Sequence, residues 1–224
     1  MANIEEIILA FFMGLFFGMI LSIPVGPVNL TIMNRAAQRG FLYGCLLGLG
    51  ASLMETIYCT IAFGGFASFF EKGIIKSAME VASFLFLIIL GIRFLTATTI
   101  PKTGSMEEKV EATFKPHSAF MTGFISVLGN PGVLLFWIAL AAHLISHEWV
   151  QPSLSSKGAC ILGVATGTSL WFTSLSYMVS RGHGKLKDST LLLMEHGSGV
   201  ALLGLGLYYG GKIALELARS RHHF

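Results

Sequence analysis

The sequence contains the same run of residue types twice. GASLMET at 50–56 returns as GTSLWFT at 167–173, which is 117 positions later, and MEVAS at 79–83 returns as MEHGS at 194–198, 115 positions later. In the second match a glycine also stands twelve positions after each methionine. A duplicated unit of apolar segments is typical of secondary transporters built from inverted repeats.

Both copies open with an apolar stretch that contains proline. The first is IPVGPVNL at 23–30 and the second is LGNPGVLLF at 128–136. Proline removes a backbone donor and clashes with the preceding turn, so a helix is expected to break at each stretch. Lipid cannot satisfy the freed backbone groups, and such a break must therefore lie against protein or a water-filled cavity.

The composition places the chain in a membrane. Of its 224 residues 54% are hydrophobic and 12% are charged, and the mean hydropathy is +0.72. Too few polar residues remain to cover a water-soluble globule. Six segments are apolar enough to approach the roughly 20 residues that a span needs: 7–34, 40–70, 81–100, 118–146, 158–180 and 196–211. We predict an all-α membrane protein of six helices, arranged as two inverted three-helix repeats with helices 1 and 4 broken.

The hydrophilic stretch at 98–117 divides the chain into a first repeat at 1–97 and a second at 118–224. With three spans per repeat, the second copy must insert upside down. Eight Lys and Arg residues fall on the linker's side and six on the other, which places the linker in the cytoplasm and both termini outside. No Lys or Arg precedes the first apolar run, so we expect that run to remain in the mature protein.

Three cysteines lie inside apolar segments without paired spacing, at Cys45, Cys59 and Cys160. Neither a disulfide framework nor a metal site is predicted from them, and no cofactor is expected. The net charge of +3 is scattered over loops and gives no nucleic-acid footprint.

The two proline breaks are the predicted substrate site. A restarting half-helix presents free amides and the positive end of its dipole, which favour an anion such as a carboxylate. The candidate residues are Gly26, Pro27 and Asn29 in the first copy and Asn130, Pro131 and Gly132 in the second. The alternative is a proline kink that is relieved by Ser22 or by packing.

Glu55 is the candidate for a cation or proton. It lies about 15 residues from either end of an otherwise uncharged span, near the middle of the membrane. An ionised carboxylate is costly there, so it must be protonated, paired or facing water. Its repeat mate is Phe172, so the duplication does not require an acid at this place. The alternative is a structural partner of Arg93.

Small polar residues of the second and fifth spans are candidates for a hydrated path. They are Ser52, Thr56, Thr168, Ser169 and Thr173. The alternative is helix-to-helix hydrogen bonding, which is supported by glycines at four-residue spacing, at 44, 48, 163 and 167.

His143 and His147 have a spacing that can bind a metal on one helix face. An interfacial belt beside Trp149 explains them at least as well, and no metal site is assigned.

Several of these motifs together resemble the LysE/RhtB family of bacterial inner-membrane amino-acid exporters. The resemblance is carried by SIPVGPVNL at 22–30, the RG pair at 39–40, the glycine-rich run that ends in Glu55, FMTGFISVLGNPGVLLFW at 120–137, GTSLWF at 167–172 and GLGLYYG at 204–210. The family commonly has aspartate where Glu55 stands and lysine where Gly132 stands.

The resemblance implies efflux of an amino acid or similar small polar solute, driven by an ion gradient, from a multi-pass protein of the inner membrane. Lipid and the solute are then the partners, and a homo-oligomer is left open. A cadmium-type metal exporter is the alternative within transport, and it would use Glu55 with Met54, Cys59 or the histidine pair. An intramembrane enzyme is disfavoured, because the spans lack paired carboxylates and a nucleophile with a base.

Overall fold

The computed structural model describes residues 3–24, 27–66, 85, 88–89, 91–98, 118–181 and 188–220, and all regular structure in this part is helical. The helices are α1 (Ile4–Ser22), α2 (Pro27–Arg39), α3 (Phe41–Ile61), α4 (Ala119–Leu128), α5 (Pro131–Ser146), α6 (Leu154–Arg181) and α7 (Asp188–Ser220), and α3 continues into a π-helical turn, Ala62–Phe66. Nearly all of the predicted linker and part of the predicted third span lie outside the described residues.

In the described part of the chain, three helices are long and apolar enough to cross a bilayer: α1, α3 together with the first residues of its π-helical extension, and α6. At about 1.5 Å per residue, the 19 residues of α1 reach roughly 28 Å, which matches the hydrocarbon thickness. The chain is therefore a multi-pass membrane protein.

Helical structure is interrupted at both proline motifs. The first helix ends at Ser22 and the next begins at Pro27, while α4 ends at Leu128 and α5 begins at Pro131. Proline suits the first position of a helix because it has no amide hydrogen to leave unsatisfied there. The interruptions fall where the sequence predicts them.

The two breaks differ in their position along the helices that precede them. The first follows a full-length helix of 19 residues, whereas the second follows α4, which has only 10. The first helix begins at Ile4, three residues ahead of the apolar segment 7–34, and the backbone N–H of Asn3 donates to Glu6 at 2.9 Å at this end. The expectation of a break in the middle of the span therefore fits the second copy better than the first.

Glycine brings α1 and α6 into close parallel contact. A Cβ atom on Gly14 would strike the backbone at Cys160, and one on Gly18 would strike the backbone at Val164. On the other helix, Gly167 would meet the backbone of α1 in the same way. Small residues at such crossings let helix backbones approach closely in a membrane.

The α3 and α4 helices form a second close contact of this type. A Cβ atom on Gly50 would strike the backbone at Phe120, and one on Gly123 would strike the backbone at Leu47. Both α3 and α6 therefore use glycine to receive a helix that ends at a break.

The α3 and α6 helices pack against each other in antiparallel directions. Gly48 faces Phe172, and Ser52 faces Thr168 four residues earlier on α6. A second antiparallel pair is formed by α7 and residues 91–95, where Gly91 contacts Leu203 and Gly199 approaches Leu95. The first pair holds the candidate site.

Candidate functional site

Asn29 closes the first break. Its side-chain amide donates to the backbone carbonyls of Ser22 and Pro24, each at 2.7 Å, and its Oδ1 accepts a hydrogen bond from Nε1 of Trp171 at 3.2 Å. The carbonyls at the end of α1 have no helical partner, so these bonds replace the ones lost at proline. Asn29 is only 4% exposed. Asn29 lies at the break as predicted, but its side-chain amide donates to the protein backbone.

The hydroxyl of Ser22 donates to the carbonyl of Gly18 at 2.8 Å. This bond lies within α1 and leaves the carbonyls at the break to Asn29. Of the other residues predicted here, Pro27 begins α2, and Gly26 lies outside the described residues.

The second break is relieved from another helix. The hydroxyl of Tyr58 on α3 donates to the carbonyl of Leu128, the last residue of α4, at 3.1 Å. The backbone of Asn130 joins the two helices, because its N–H donates to the carbonyl of Val127 at 2.9 Å and its carbonyl accepts from Val133 at 3.1 Å. Pro131 and Gly132 form the first turn of α5.

The two breaks lie on opposite sides of the contact between Ser52 and Thr168, because α3 and α6 run antiparallel. Trp171, which binds the first break, is three residues or roughly 4.5 Å beyond Thr168 along α6. Tyr58, which binds the second, is six residues or roughly 9 Å beyond Ser52 along α3. Glu55 stands between Ser52 and Tyr58.

Glu55 is half-buried. Its carboxylate has no hydrogen bond or salt bridge with any of the residues that the structure describes. Arg93 is exposed, and no ion pair joins the two side chains. The structure therefore gives no support to a structural pairing with Arg93.

The small polar residues bind one another between α3 and α6. The hydroxyl of Ser52 is bonded to those of Thr168 and Ser169, at 2.9 Å for the latter, and Thr56 donates to the carbonyl of Ser52 at 2.7 Å. Farther along, Thr173 lies 3.7 Å from the sulfur of Cys45. These bonds are what the packing alternative predicts. A role for these residues in a hydrated path remains a prediction.

The histidine pair belongs to an aromatic cluster at the end of α5. The rings of His143 and His147 are 4.3 Å apart, and Trp149 lies 6.2 Å from Phe17 of α1. Nδ1 of His147 also contacts the carbonyl of His143 at 2.9 Å. Within the described ranges no group of three or more His, Cys, Asp or Glu residues could hold a metal ion. The geometry fits packing and does not favour the metal-exporter alternative.

Sequence reasoning missed Trp171 and Tyr58. Both carry a polar hydrogen into an apolar span, and such a group usually finds an acceptor when buried. The two breaks contain carbonyls and an asparagine oxygen that can accept such a hydrogen bond. A buried Trp or Tyr near each break could therefore have been predicted to bind there. Which aromatic residue reaches which break depends on the helix packing.

Comparison with known proteins identifies relatives over most of the chain. A family model described as LysE type translocator matches residues 19–211. A protein of Bacillus subtilis (strain 168) named "Putative amino acid efflux protein YcgF" is 26% identical over 198 residues, which are 86% of this chain and 91% of that protein. An uncharacterized membrane protein of Pseudomonas aeruginosa, PA4757, is 22% identical over 195 residues, or 84% and 87% of the two chains. No solved structure matches the chain.

Proposed function

Because the chain belongs to the LysE type translocator family, we propose that it exports an amino acid or a similar small polar solute across the bacterial inner membrane, driven by an ion gradient. The observation that carries this proposal is the position of Glu55. A carboxylate without a partner among the described residues, held between two interrupted helices in the middle of a membrane protein, is suited to bind a cation in transit.

We infer that the two halves are inverted repeats. Gly18 of α1 contacts Val164 of α6, and Gly123 of α4 contacts Leu47 of α3. When α1 is matched to α4 and α3 to α6, these two contacts join equivalent positions, which supports the inference. The offset between α3 and α6 is the 117 positions found in the sequence.

The outer helices support the same relation. Gly91 contacts Leu203, and Gly206 contacts Ile88. Gly206 corresponds to Gly91, and Leu203 to Ile88, under the second offset of 115 positions, so the two contacts are equivalent. Matched helices that pack antiparallel are related by an axis in the membrane plane, as in transporters with inverted repeats.

The second break is the better candidate for the substrate carboxylate. Asn29 gives its donors to the break itself, whereas Pro131 and Gly132 begin α5, whose first-turn amides and dipole favour an anion. Asn130 is half-buried at that turn. The substrate ammonium, or a coupling proton, would then be held by Glu55. Pro27 and Asn29 would lie on the opposite wall of the site.

Alternating access would move one repeat against the other across the interface of α3 and α6. The hydroxyls of Ser52, Thr168 and Ser169 meet there. Hydrogen bonds between membrane helices contribute on average only about 0.6 kcal/mol each, so they can be exchanged during a rocking motion.

Export from substrate-loaded proteoliposomes tests the role of Glu55. Glu55→Gln keeps the size and hydrogen-bonding capacity but cannot ionise, so we expect gradient-driven export to be lost while the protein still folds. Glu55→Asp keeps the charge and should retain part of the activity. The control is Glu148→Gln, which makes the same chemical change at an exposed residue and should export normally. Undiminished export by Glu55→Gln would overturn the proposed coupling role.

The solute itself can be found by thermal shift. A ligand that binds only the native state raises the melting temperature, so purified protein is screened against amino acids, polyamines and divalent metals. Stabilisation by amino acids alone is the expected result, and stabilisation by metals alone would favour metal export.

A further inference from the structure

Tyr58 connects the helix that carries Glu55 to the second break. Its hydroxyl donates to the carbonyl of Leu128, which ends α4 and has no helical partner of its own. The side chain is 6% exposed, so this bond is shielded from bulk solvent. This hydrogen bond links the end of α4 to α3, in addition to the close glycine contacts between the two helices.

Glu55 precedes Tyr58 by three positions on α3. Residues at this spacing lie on the same helix face with Cβ atoms about 5–6 Å apart, so their side chains can interact. In the structure the hydroxyl of Tyr58 donates to the neutral carbonyl of Leu128, while the carboxylate of Glu55 has no hydrogen-bond or salt-bridge partner among the described residues. The carboxylate of Glu55 is thus a second potential acceptor for this hydroxyl.

The backbone of α3 changes pitch about one turn after Tyr58. The N–H of Ala62 is shared between the carbonyls of Tyr58 and Cys59, and the π-helical turn Ala62–Phe66 follows and packs against α5. Single π-helical turns occur frequently at functional sites, where they permit local rearrangement. The end of α3 and its π-helical extension therefore contact both helices at the second break. Tyr58 binds the end of α4, and the π-helical turn packs against α5.

We propose that Tyr58 is a positioning residue that makes the geometry of the second break depend on whether Glu55 holds a cation. This inference rests on the proposed function of Glu55. While the carboxylate is neutralised by a proton or a substrate ammonium, Tyr58 donates to Leu128 and fixes the end of α4, as in the structure. When the cation leaves, the bare carboxylate is the stronger acceptor, since charge-assisted hydrogen bonds are roughly twice as strong. The hydroxyl then turns to Glu55 and releases the break.

A cysteine reporter at the break measures this dependence. Val133→Cys is placed in the first turn of α5 in a chain whose three native cysteines are replaced by alanine, after export by that chain has been shown to persist. Val133 is half-buried, so its reactivity with a maleimide reports on opening of the break. Glu55→Gln mimics the neutralised carboxylate, and we expect it to slow labelling at least threefold.

A double-mutant cycle assigns the effect to Tyr58. In Tyr58→Phe, which removes only the hydroxyl, labelling should be fast and Glu55→Gln should no longer slow it. A Tyr58 that merely supports the fold would change labelling by the same factor with glutamate or glutamine at position 55, and that result would overturn the proposal. Tyr58→Met also lacks the hydroxyl, and its flexible side chain adapts to the space. Tyr58→Met replaces Tyr58→Phe in the double-mutant cycle if the phenylalanine variant does not fold.

Tyr43→Phe is the matched control on the same helix. The ring of Tyr43 lies beneath the guanidinium of Arg39 at 4.8 Å. Tyr43 precedes Tyr58 by 15 residues, or roughly 22 Å along α3, so labelling should keep its full response to Glu55→Gln. Equal labelling of the reporter chain with and without Glu55→Gln would overturn the proposal even where that substitution abolishes export, and the proposed function would survive. Normal export by Glu55→Gln would instead refute the proposed function itself.

Discussion

Nε1 of Trp171 donates a hydrogen bond to Oδ1 of Asn29 over 3.2 Å. Since the amide of Asn29 in turn holds the carbonyls of Ser22 and Pro24, one continuous chain of hydrogen bonds joins α6 to the first break. The second break is joined to α3 through Tyr58. Each central helix therefore holds one interrupted helix, and a shift between α3 and α6 would be passed to both breaks.

We predict that Trp171→Phe destabilises the protein mainly through the lost hydrogen bond. The buried oxygen of Asn29 would be left without its donor, at a cost of about 1–3 kcal/mol. Trp137→Phe is the matched control, because that indole is also buried but its Nε1 has no hydrogen-bond partner in the described part of the chain. The two free energies of unfolding are compared in mixed micelles. Equal losses would mean that the bond to Asn29 contributes nothing.

Asn29→Asp should be more damaging than its similar shape suggests. The carboxylate cannot donate, so two bonds of 2.7 Å are lost and negative charge faces two carbonyl oxygens. We expect at least about 2 kcal/mol of lost stability, from roughly 1 kcal/mol for each bond. Asn34→Asp makes the same change five positions later on α2 and should cost less. The measurement is again the free energy of unfolding, and similar values for the two variants would contradict the capping role of Asn29.

The parts of the fold that sequence predicts are those set by local backbone chemistry. Proline cannot continue a helix, so α1 and α4 end just before the prolines whatever surrounds them. The glycines at 163 and 167, which in the sequence support the packing alternative, lie against the backbone of α1, where only a residue without Cβ permits so close an approach.

The partners of individual side chains were not predictable in the same way. Asn29 has the chemistry of a substrate ligand, and only the folded backbone shows that Ser22, Pro24 and Trp171 use its polar atoms. Likewise, hydroxyl groups at 52, 168 and 169 suit a hydrated path as well as a packed interface. The register between α3 and α6 decides between these, and it is a tertiary property.

Membrane orientation provides a prediction outside the described residues. The excess of basic residues on the side of the linker places Lys109 in the cytoplasm. In intact cells that produce a chain without native cysteines, Lys109→Cys should resist a membrane-impermeant maleimide. Ser155→Cys, at the exposed start of α6 on the other side, should react. The reverse pattern would invert the topology.

The last prediction concerns the matched glycines at the two close helix crossings. Gly18 of α1 and Gly123 of α4 each lie against the backbone of a central helix, at Val164 and Leu47 respectively. A methyl group there must push the helices apart, so Gly18→Ala and Gly123→Ala should each cost about 1–3 kcal/mol by overpacking.

Gly158→Ala is the control for this pair of variants. It lies within α6 with no atom near its missing Cβ, and alanine there should stabilise the helix by up to about 1 kcal/mol. Because the two crossings are repeat mates in the proposed architecture, the losses at Gly18 and Gly123 should both fall in this range of about 1–3 kcal/mol. A large loss at one crossing with none at the other, measured as free energy of unfolding, would mean that the crossings are not energetically equivalent and would count against the duplicated architecture.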